Sequence, residues 1–404
     1  MIKKKKEEIG KAKLKVDKKD RVINEVYARI GTLQKRGYSF KRQSTDIKKL
    51  LEEQDEVESV SVYGDTDITV RFKDKTQVGI LLDRKKMYGG SPENVGLVGV
   101  KKHDFLGDVD DPYPVSTKAA VIDTLRDDWP PISTPDSIYN LLKGAGYDVD
   151  HIKNDNANLQ FFTTFDDNEY GVVFIRSHGG IMNVDGDDKL HIMVRPFFPN
   201  FPPASGYTGV GVFSVGTDVL PQGWAYTYAF NNYFVEQYMN NKHFPNSLFH
   251  LLVCHGASPR AENDMIKSFL ERGVGCYTGW TKNASGAHGD PAAVQFFQVL
   301  CDSSASPTNT ITDAIAQITS AGHSPDSSTS AILVAHGLSN MQIINCYIIK
   351  EISHITIRNL QGRVIGRGFH DLLDAVEYGT NYILGGKYSR LQIVHNVELK
   401  KIQR

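Results

Sequence analysis

The spacing of hydrophobic and polar positions changes several times along the 404-residue chain. Up to residue 55, apolar residues return every three or four positions among charged ones, which predicts an amphipathic helical segment. Between Val57 and Leu82 the pattern becomes alternating and rich in β-branched residues, with Gly-Asp and Asp-Lys turn signals, which predicts a small β meander. Residues 83–117 are rich in Gly, Pro and Asp and are predicted to form a loop or linker.

From Lys118 onward, short apolar runs alternate with helical stretches up to about residue 320. This strand, loop and helix rhythm predicts an α/β domain with a mostly parallel sheet between helices. More β-like runs and one helix, Asp371–Glu377, follow a polar stretch. We therefore predict four regions: a helical segment (1–55), a small β segment with linker (56–117), the α/β domain (118–320) and a C-terminal α/β accessory region (321–404).

Composition narrows the class of protein. The formal charge of −1 gives no overall attraction to nucleic acid or to an anionic membrane, so neither is an expected partner. No apolar run approaches the roughly 18 residues of a membrane helix, and no secretory signal is present, so a cytoplasmic location is expected. The four cysteines lack CxxC spacing, which fits reduced thiols.

Two segments end a buried-type strand on a reactive residue that glycine soon follows. They read GVVFIRSHGG, with His178, and SLFHLLVCHGA, with Cys254. Because the carboxyl ends of parallel strands open on one edge of a sheet, both side chains are expected in one crevice. An imidazole beside a thiol raises its thiolate fraction, and Gly179 and Gly256 allow backbone N–H groups close to an oxyanion. This combination indicates acyl-transfer chemistry.

Simpler interpretations compete with this one. A cysteine at a strand end is often only a small buried hydrophobe, but the matching contexts of Cys254 and His178 favour a catalytic pair. His255 is an alternative base, although its side chain is expected to point away from that of Cys254. The acidic run VDGDD lacks EF-hand spacing, and no P-loop, HExxH or dinucleotide motif occurs. We expect neither a metal nor a cofactor.

These residues resemble the caspase clan of cysteine peptidases, and within it the gingipain-like and CHAT-type peptidases. The resemblance rests on YGVVFIRSHGG, FPNSLFHLLVCHGA and MIKSFLERGVGCYTGW in that order, over about residues 118–320. It implies a caspase-like (caspase-hemoglobinase) fold and a cysteine endopeptidase that forms a thioester acyl-enzyme. Cys254 is the implied nucleophile, His178 its base, and the backbone N–H groups of Gly179 and Cys254 the oxyanion hole.

The resemblance also implies a pocket for the P1 side chain beside the dyad. The loop after the first strand of the domain reads LRDDWPP, where Asp127 or Asp128 would favour a basic P1 residue and Arg126 an acidic one; the basic preference is the prediction. Trp280 is predicted to form a wall of this pocket, and Tyr277–Thr281 to pair with the substrate backbone as an added strand.

The expected partners are a protein or peptide substrate and a regulatory partner protein or ligand, since the flanking regions suggest regulation. The Pro-, Phe- and Gly-rich stretch 195–223 is predicted to be a lid or a processing segment. Two other functions remain open: a non-catalytic caspase-like interaction or assembly module, and a thiol-dependent hydrolase or transferase of small acyl groups.

Overall fold

The chain divides into two units in the computed structural model, which describes residues 2–82, 113–128, 133–217, 219–239, 244, 246–302 and 309–343 and short strands at 356–358, 364–367 and 392–394. One unit holds residues 1–143 and 148–343, and the other holds residues 144–147 and 344–404. The predicted helical segment and β segment thus share a unit with all of residues 118–320 except 144–147. The four-part division itself stays a prediction.

The first unit contains both helices and strands, in keeping with the α/β prediction. The helices are α1 (Ile2–Lys35), α2 (Phe40–Glu52), α3 (Ser133–Gly144), α4 (Leu159–Thr163), α5 (Asn232–Tyr238), α6 (Pro259–Ala261), α7 (Lys267–Leu270), α8 (Gly286–Leu300) and α9 (Ile311–Ser320). A π-helical turn, Glu262–Ile266, joins α6 to α7. The strands are β1 (Val57–Tyr63), β2 (Asp67–Phe72), β3 (Gln77–Leu81), β4 (Lys118–Asp123), β5 (Asp148–Lys153), β6 (Val172–Arg176), β7 (Gly179–Val184), β8 (Asp187–Met193), β9 (Val210–Gly216), β10 (Trp224–Phe230), β11 (Ser247–Leu252), β12 (Val274–Trp280) and β13 (Leu333–Gly337).

The N-terminal segment forms two helices where the sequence predicts one. Gly37 adopts φ +68°, which lies in the left-handed region and ends α1. Ser39 then caps α2, since its side chain accepts a hydrogen bond from the Arg42 N–H. The apolar faces of α1 and α2 pack on β2 and β3 around a core that includes Val26, Ile47, Ile68, Val70 and Ile80.

The predicted β meander is part of a larger, seven-stranded sheet. Its strand order is β1-β2-β3-β9-β10-β8-β7, and its pairs are antiparallel except for β3 with β9. The sheet curls so that β7 lies against β2, where the Ile181 N–H donates to Asp67 and the Asn183 N–H to Thr69. The N-terminal strands therefore reach the segment that follows His178.

A six-stranded sheet carries the two strands singled out in the sequence. Its order is β13-β12-β11-β6-β4-β5. Four neighbouring pairs are parallel, and only β13 runs antiparallel to its neighbour β12. The strands β6 and β11 are fully buried at its centre, as their continuous apolar sequences predict.

The stretch 195–223 is not a lid in its described part. It contains β9, and Phe201 packs against Tyr226 of β10 while its N–H donates to Asp20 of α1. Phe198 and Phe201 pack against the N-terminal core, a role that the local Pro and Gly content concealed. The VDGDD run forms the turn between β7 and β8, with Asp185 and Gly186 at positive φ.

The second unit contains three short antiparallel strands in the order β15-β14-β16: β14 (Thr356–Arg358), β15 (Val364–Arg367) and β16 (Gln392–Val394). The strands β14 and β16 lie within predicted β-like runs, whereas β15 lies outside them. The predicted helix Asp371–Glu377 lies outside the described residues. Across the part of the chain that the structure describes, no helix has the length and apolarity that crossing a membrane demands.

Candidate active site

Cys254 and His178 follow neighbouring strands at the same level of the six-stranded sheet. The strands β6 and β11 are parallel, and Leu252 pairs with Arg176. The Ser177 N–H donates to the Leu252 carbonyl over 3.2 Å, which extends the ladder by one step. Each reactive residue lies two positions beyond the pair Leu252 and Arg176, and both side chains line one small pocket. The structure thus brings the two predicted residues together.

A buried carboxylate lies against His178. The Asp128 Oδ2 is 3.3 Å from the His178 Nε2, and the Asp128 side chain is only 1% exposed. Asp128 reaches this place because its N–H closes a turn onto the Leu125 carbonyl directly after β4. A hydrogen bond of 3.0 Å between the Thr124 and Ser177 hydroxyls ties the same loop to the end of β6. The loop and the imidazole are therefore held together.

Gly179 is required by close packing. A Cβ at this position would lie 2.3 Å from the Cys254 carbonyl oxygen and 2.3 Å from Cγ1 of Val253. The Met193 N–H donates to the His178 carbonyl, so the next pair along the ladder, Gly179 with Ile192, is a non-hydrogen-bonded one. The Gly179 N–H therefore points away from β8.

The pocket lining includes a buried group of charged side chains. Arg176 is 1% exposed, and its Nε donates to Asp290 over 2.9 Å while its Nη1 donates to Asp123 over 3.3 Å. Burial raises the pKa of Asp123, and the Arg176 guanidinium opposes that shift. The pocket is lined by Leu125, Arg176, Ser177, His178, Leu252, Val253, Cys254, Ala284, Ser285, Gly286 and Asp290.

The helix α8 begins beside the thiol. The Cys254 Sγ lies 3.8 Å from the Ala284 carbonyl oxygen, and Ser285 is the N-cap residue of this 15-residue helix. The helix that directly follows Cys254 in sequence starts only after Ser258, its N-cap. The thiol therefore lies beside the residues that lead into α8.

The other described cysteines differ from Cys254. Cys276 is fully buried in β12, and burial raises the pKa of its thiol. Cys301 is partly exposed at the end of α8 and does not line the pocket. Cys346 lies outside the described residues.

The predicted P1 residues occupy different environments. Asp128 is engaged with His178, which favours a role in orienting the imidazole over the predicted role in the pocket. Asp127 is exposed and does not line the pocket. Arg126 forms two hydrogen bonds with Asp136 of α3, of 2.9 and 3.1 Å, so its guanidinium is already paired.

Trp280 is fully buried and is not among the residues that line the pocket. It pairs with Leu333, and Tyr277 pairs with His336, in the antiparallel ladder between β12 and β13. That ladder covers the edge of β12 that was expected to receive a substrate strand. The long polar stretch before β13 hid this pairing in the sequence.

Arg176, Asp290 and the N-terminus of α8 are features of the site that the sequence analysis missed. Arg176 had a signal, because a charged residue inside the apolar run VVFIR must find a buried partner. Asp290 had no such signal, since it lies 114 residues from Arg176 in sequence and approaches it only through the packing of α8 against the sheet.

No protein-family model matches the chain, and no curated protein sequence matches it. Among solved structures, the chain is similar to the Arg-specific cysteine proteinase gingipain R (RgpB), with 9% identity, a TM-score of 0.37 and coverage of 60% of this chain. It is also similar to the complex of Porphyromonas gingivalis RgpB pro- and mature domains, with 10% identity, a TM-score of 0.36 and the same coverage. The chain spans about half the length of each, 50% and 51%. Likeness of this extent assigns no residue roles.

Proposed function

We propose that the protein is a cysteine endopeptidase of the caspase-like type that its motifs resemble. The observation that carries this proposal is the equal register of Cys254 and His178 on adjacent parallel strands, where both side chains line one pocket. A cysteine with only a structural role does not require an imidazole, a buried carboxylate and a pocket beside its thiol. Nucleophilic catalysis uses such a set, in which the base activates the nucleophile and a third group orients the base.

Asp128 sets the proton positions of His178 in this proposal. An ionised carboxylate only accepts hydrogen bonds, so the His178 Nε2 that faces it carries the hydrogen. The Nδ1 then keeps its lone pair and serves as the base. The carboxylate also stabilises the imidazolium that forms when Nδ1 takes up the proton of the Cys254 thiol.

Peptide hydrolysis then proceeds in two stages. The Cys254 Sγ attacks the scissile carbonyl carbon, the C–N bond breaks, and His178 passes the thiol proton to the leaving amine, which leaves a thioester. Water attacks the thioester, the C–S bond breaks, and the proton returns to the thiol through His178. The N–H groups of Gly179 and Cys254 stabilise the oxyanion, and the positive end of α8 favours the thiolate.

A labelling experiment tests the proposed function. The full chain is treated with peptide chloromethyl ketones that differ at P1, and the modified residue is identified by mass spectrometry. We expect one label per chain, on Cys254, and none on Cys254→Ala or His178→Ala. Cys301→Ala is the matched control, because Cys301 is also partly exposed but lies outside the pocket; it should label like the wild type.

Two results would contradict the proposal. Equal labelling of Cys254 and Cys301 would show an unactivated thiol, as in a non-catalytic assembly module. Selective labelling without cleavage of any peptide, together with turnover of small thioesters, would favour the acyl hydrolase or transferase.

We further propose that the P1 residue is basic and that Asp290 recognises it. Asp290 is the carboxylate that lines the pocket, and a carboxylate offers about four acceptor positions. Arg176 occupies two of them, through Nε at 2.9 Å and Nη2 at 3.3 Å, so acceptor capacity remains for a Lys or Arg side chain. The guanidinium of Arg176 is itself shared between two carboxylates, which disfavours an acidic P1 residue.

Asp290→Asn is expected to lower kcat/KM for P1 Lys and Arg about 10- to 100-fold relative to P1 Gln, since a hydrogen bond to a charged group is lost. Rates on a peptide set that varies only at P1 measure this ratio. Asp264→Asn is the control, because Asp264 pairs with Lys189 away from the pocket. A wild-type preference for P1 Asp or Glu, or an unchanged ratio in Asp290→Asn, would overturn the assignment.

A further inference from the structure

Thr66 and Asp67, at the start of β2, contact residues next to the candidate active site. Asp67 is 2% exposed and Thr66 is 5% exposed. Both residues belong to the N-terminal β segment, far in sequence from the dyad. Their side chains nevertheless contact each of the three segments that surround the thiol.

The first contact is with the residue that follows the nucleophile. The His255 Nε2 is 3.2 Å from the Asp67 Oδ2, and His255 is 6% exposed. Its backbone adopts φ +60°, a left-handed conformation that is uncommon for residues other than Gly and that surrounding contacts must hold. The His255 N–H donates to the Lys282 carbonyl, and its ring lies edge-on to Tyr63 at 5.5 Å. His255 is not among the residues that line the pocket, so it is a poor candidate for the base.

The second and third contacts reach the other sides of the site. The Ile181 N–H donates to the Asp67 Oδ1 over 3.3 Å, in the strand that begins directly after His178. The Asn283 amide donates to the Thr66 hydroxyl over 2.8 Å, and that hydroxyl donates to Asp67 over 2.9 Å. Asn283 immediately precedes Ala284, whose carbonyl lies beside the thiol. The Asp67 carboxylate therefore contacts the residue after Cys254 and the strand after His178, and it is linked through Thr66 to the segment that precedes α8.

We infer that Asp67 is a positioning residue, which holds His255 in its left-handed conformation and so sets the place of the Cys254 thiol. This inference rests on the proposed function. Asp67 touches neither the thiol nor the pocket, and its effect passes through His255. A shift of about 1 Å in a reacting atom costs on the order of 100-fold in rate, so a loosened loop lowers turnover more than it lowers stability.

The test compares Asp67→Asn and His255→Gln in the full chain. We expect each variant to lower kcat about 10- to 100-fold with KM within about threefold of the wild type, because the pocket for the substrate is kept. The double variant should lose no more than the larger single loss, since both changes break the same contact. Asp46→Asn is the matched control: it breaks the Arg29–Asp46 pair of the same N-terminal region, away from the site, and should leave kcat unchanged.

The melting temperature separates positioning from unfolding, because a variant that loses only positioning stays folded well above the assay temperature while its kcat falls. Full kcat in His255→Gln, or losses that add in the double variant, would overturn the inference; His255→Gln decides it even if Asp67→Asn fails to fold. A wild type that neither cleaves peptides nor labels at Cys254 would instead refute the proposed function. Failure of the inference would therefore show in the variants, and failure of the proposed function would show in the wild type.

Discussion

Asp128→Asn is expected to lower kcat by about 10²- to 10⁴-fold and to leave KM and the P1 preference unchanged. The amide has nearly the shape of the carboxylate, so the loop after β4 should keep its fold. Its NH₂ group, however, can donate to the His178 Nε2 and so favour the tautomer with the hydrogen on Nδ1. The base would then have no lone pair to take the thiol proton, and no negative charge would stabilise the imidazolium. Steady-state rates on one peptide substrate measure the loss.

Two further variants separate orientation of the imidazole from looseness of the loop and from substrate recognition. Asp136→Asn weakens the Arg126–Asp136 pair, which anchors the same loop without touching His178, and should change kcat by less than about threefold. Asp127→Asn alters an exposed side chain and tests the P1 role that the sequence suggested. A changed P1 preference in Asp128→Asn, or a kcat close to that of the wild type, would contradict the orienting role. In that case the pocket role predicted for Asp128 would regain support.

The reactive pair could be predicted from sequence because its signal is local. Cys254 and His178 each end a continuous apolar run, and such runs are typical of central parallel strands. Strands of this kind present their carboxyl ends on one edge, so two reactive residues at strand ends imply one site. The meander of β1 to β3 was predictable for the same reason, since its alternating pattern and turn residues are contained in 26 residues.

The partners of the pair could not be predicted, because each depends on long-range packing. Asp128 was visible only as one of two adjacent carboxylates in a loop, and nothing in LRDDWPP distinguishes the buried one from the exposed one. The pairing of β3 with β9 joins residues more than 130 positions apart, and the contact between Asp67 and His255 joins residues 188 positions apart. The strands β9 and β10 were also obscured by the Pro- and Gly-rich sequence that surrounds them.

Gly179→Ala is expected to reduce activity at least about 100-fold and to lower the free energy of unfolding by about 1–3 kcal/mol. The added methyl group would lie 2.3 Å from the Cys254 carbonyl oxygen and from the Val253 Cγ1, far inside contact distance. The first of these atoms belongs to the backbone of the nucleophile itself, so relief of the clash must displace Cys254 or the start of β7. Either shift changes the distance between the thiol and the imidazole. It also moves the Gly179 N–H, which is one of the two donors proposed for the oxyanion.

Gly31→Ala is the matched control, because a Cβ at Gly31 of α1 meets no atom within 4 Å and alanine favours a helix. It should keep full activity and should not lower the free energy of unfolding. The decisive measurements are kcat/KM on a peptide substrate and the rate at which iodoacetamide alkylates Cys254, which needs no substrate pocket. If Gly179→Ala lost peptide cleavage but kept wild-type alkylation, the damage would lie in the oxyanion hole and not in the dyad. If it kept both, the close packing of Gly179 against the nucleophile would have no functional role.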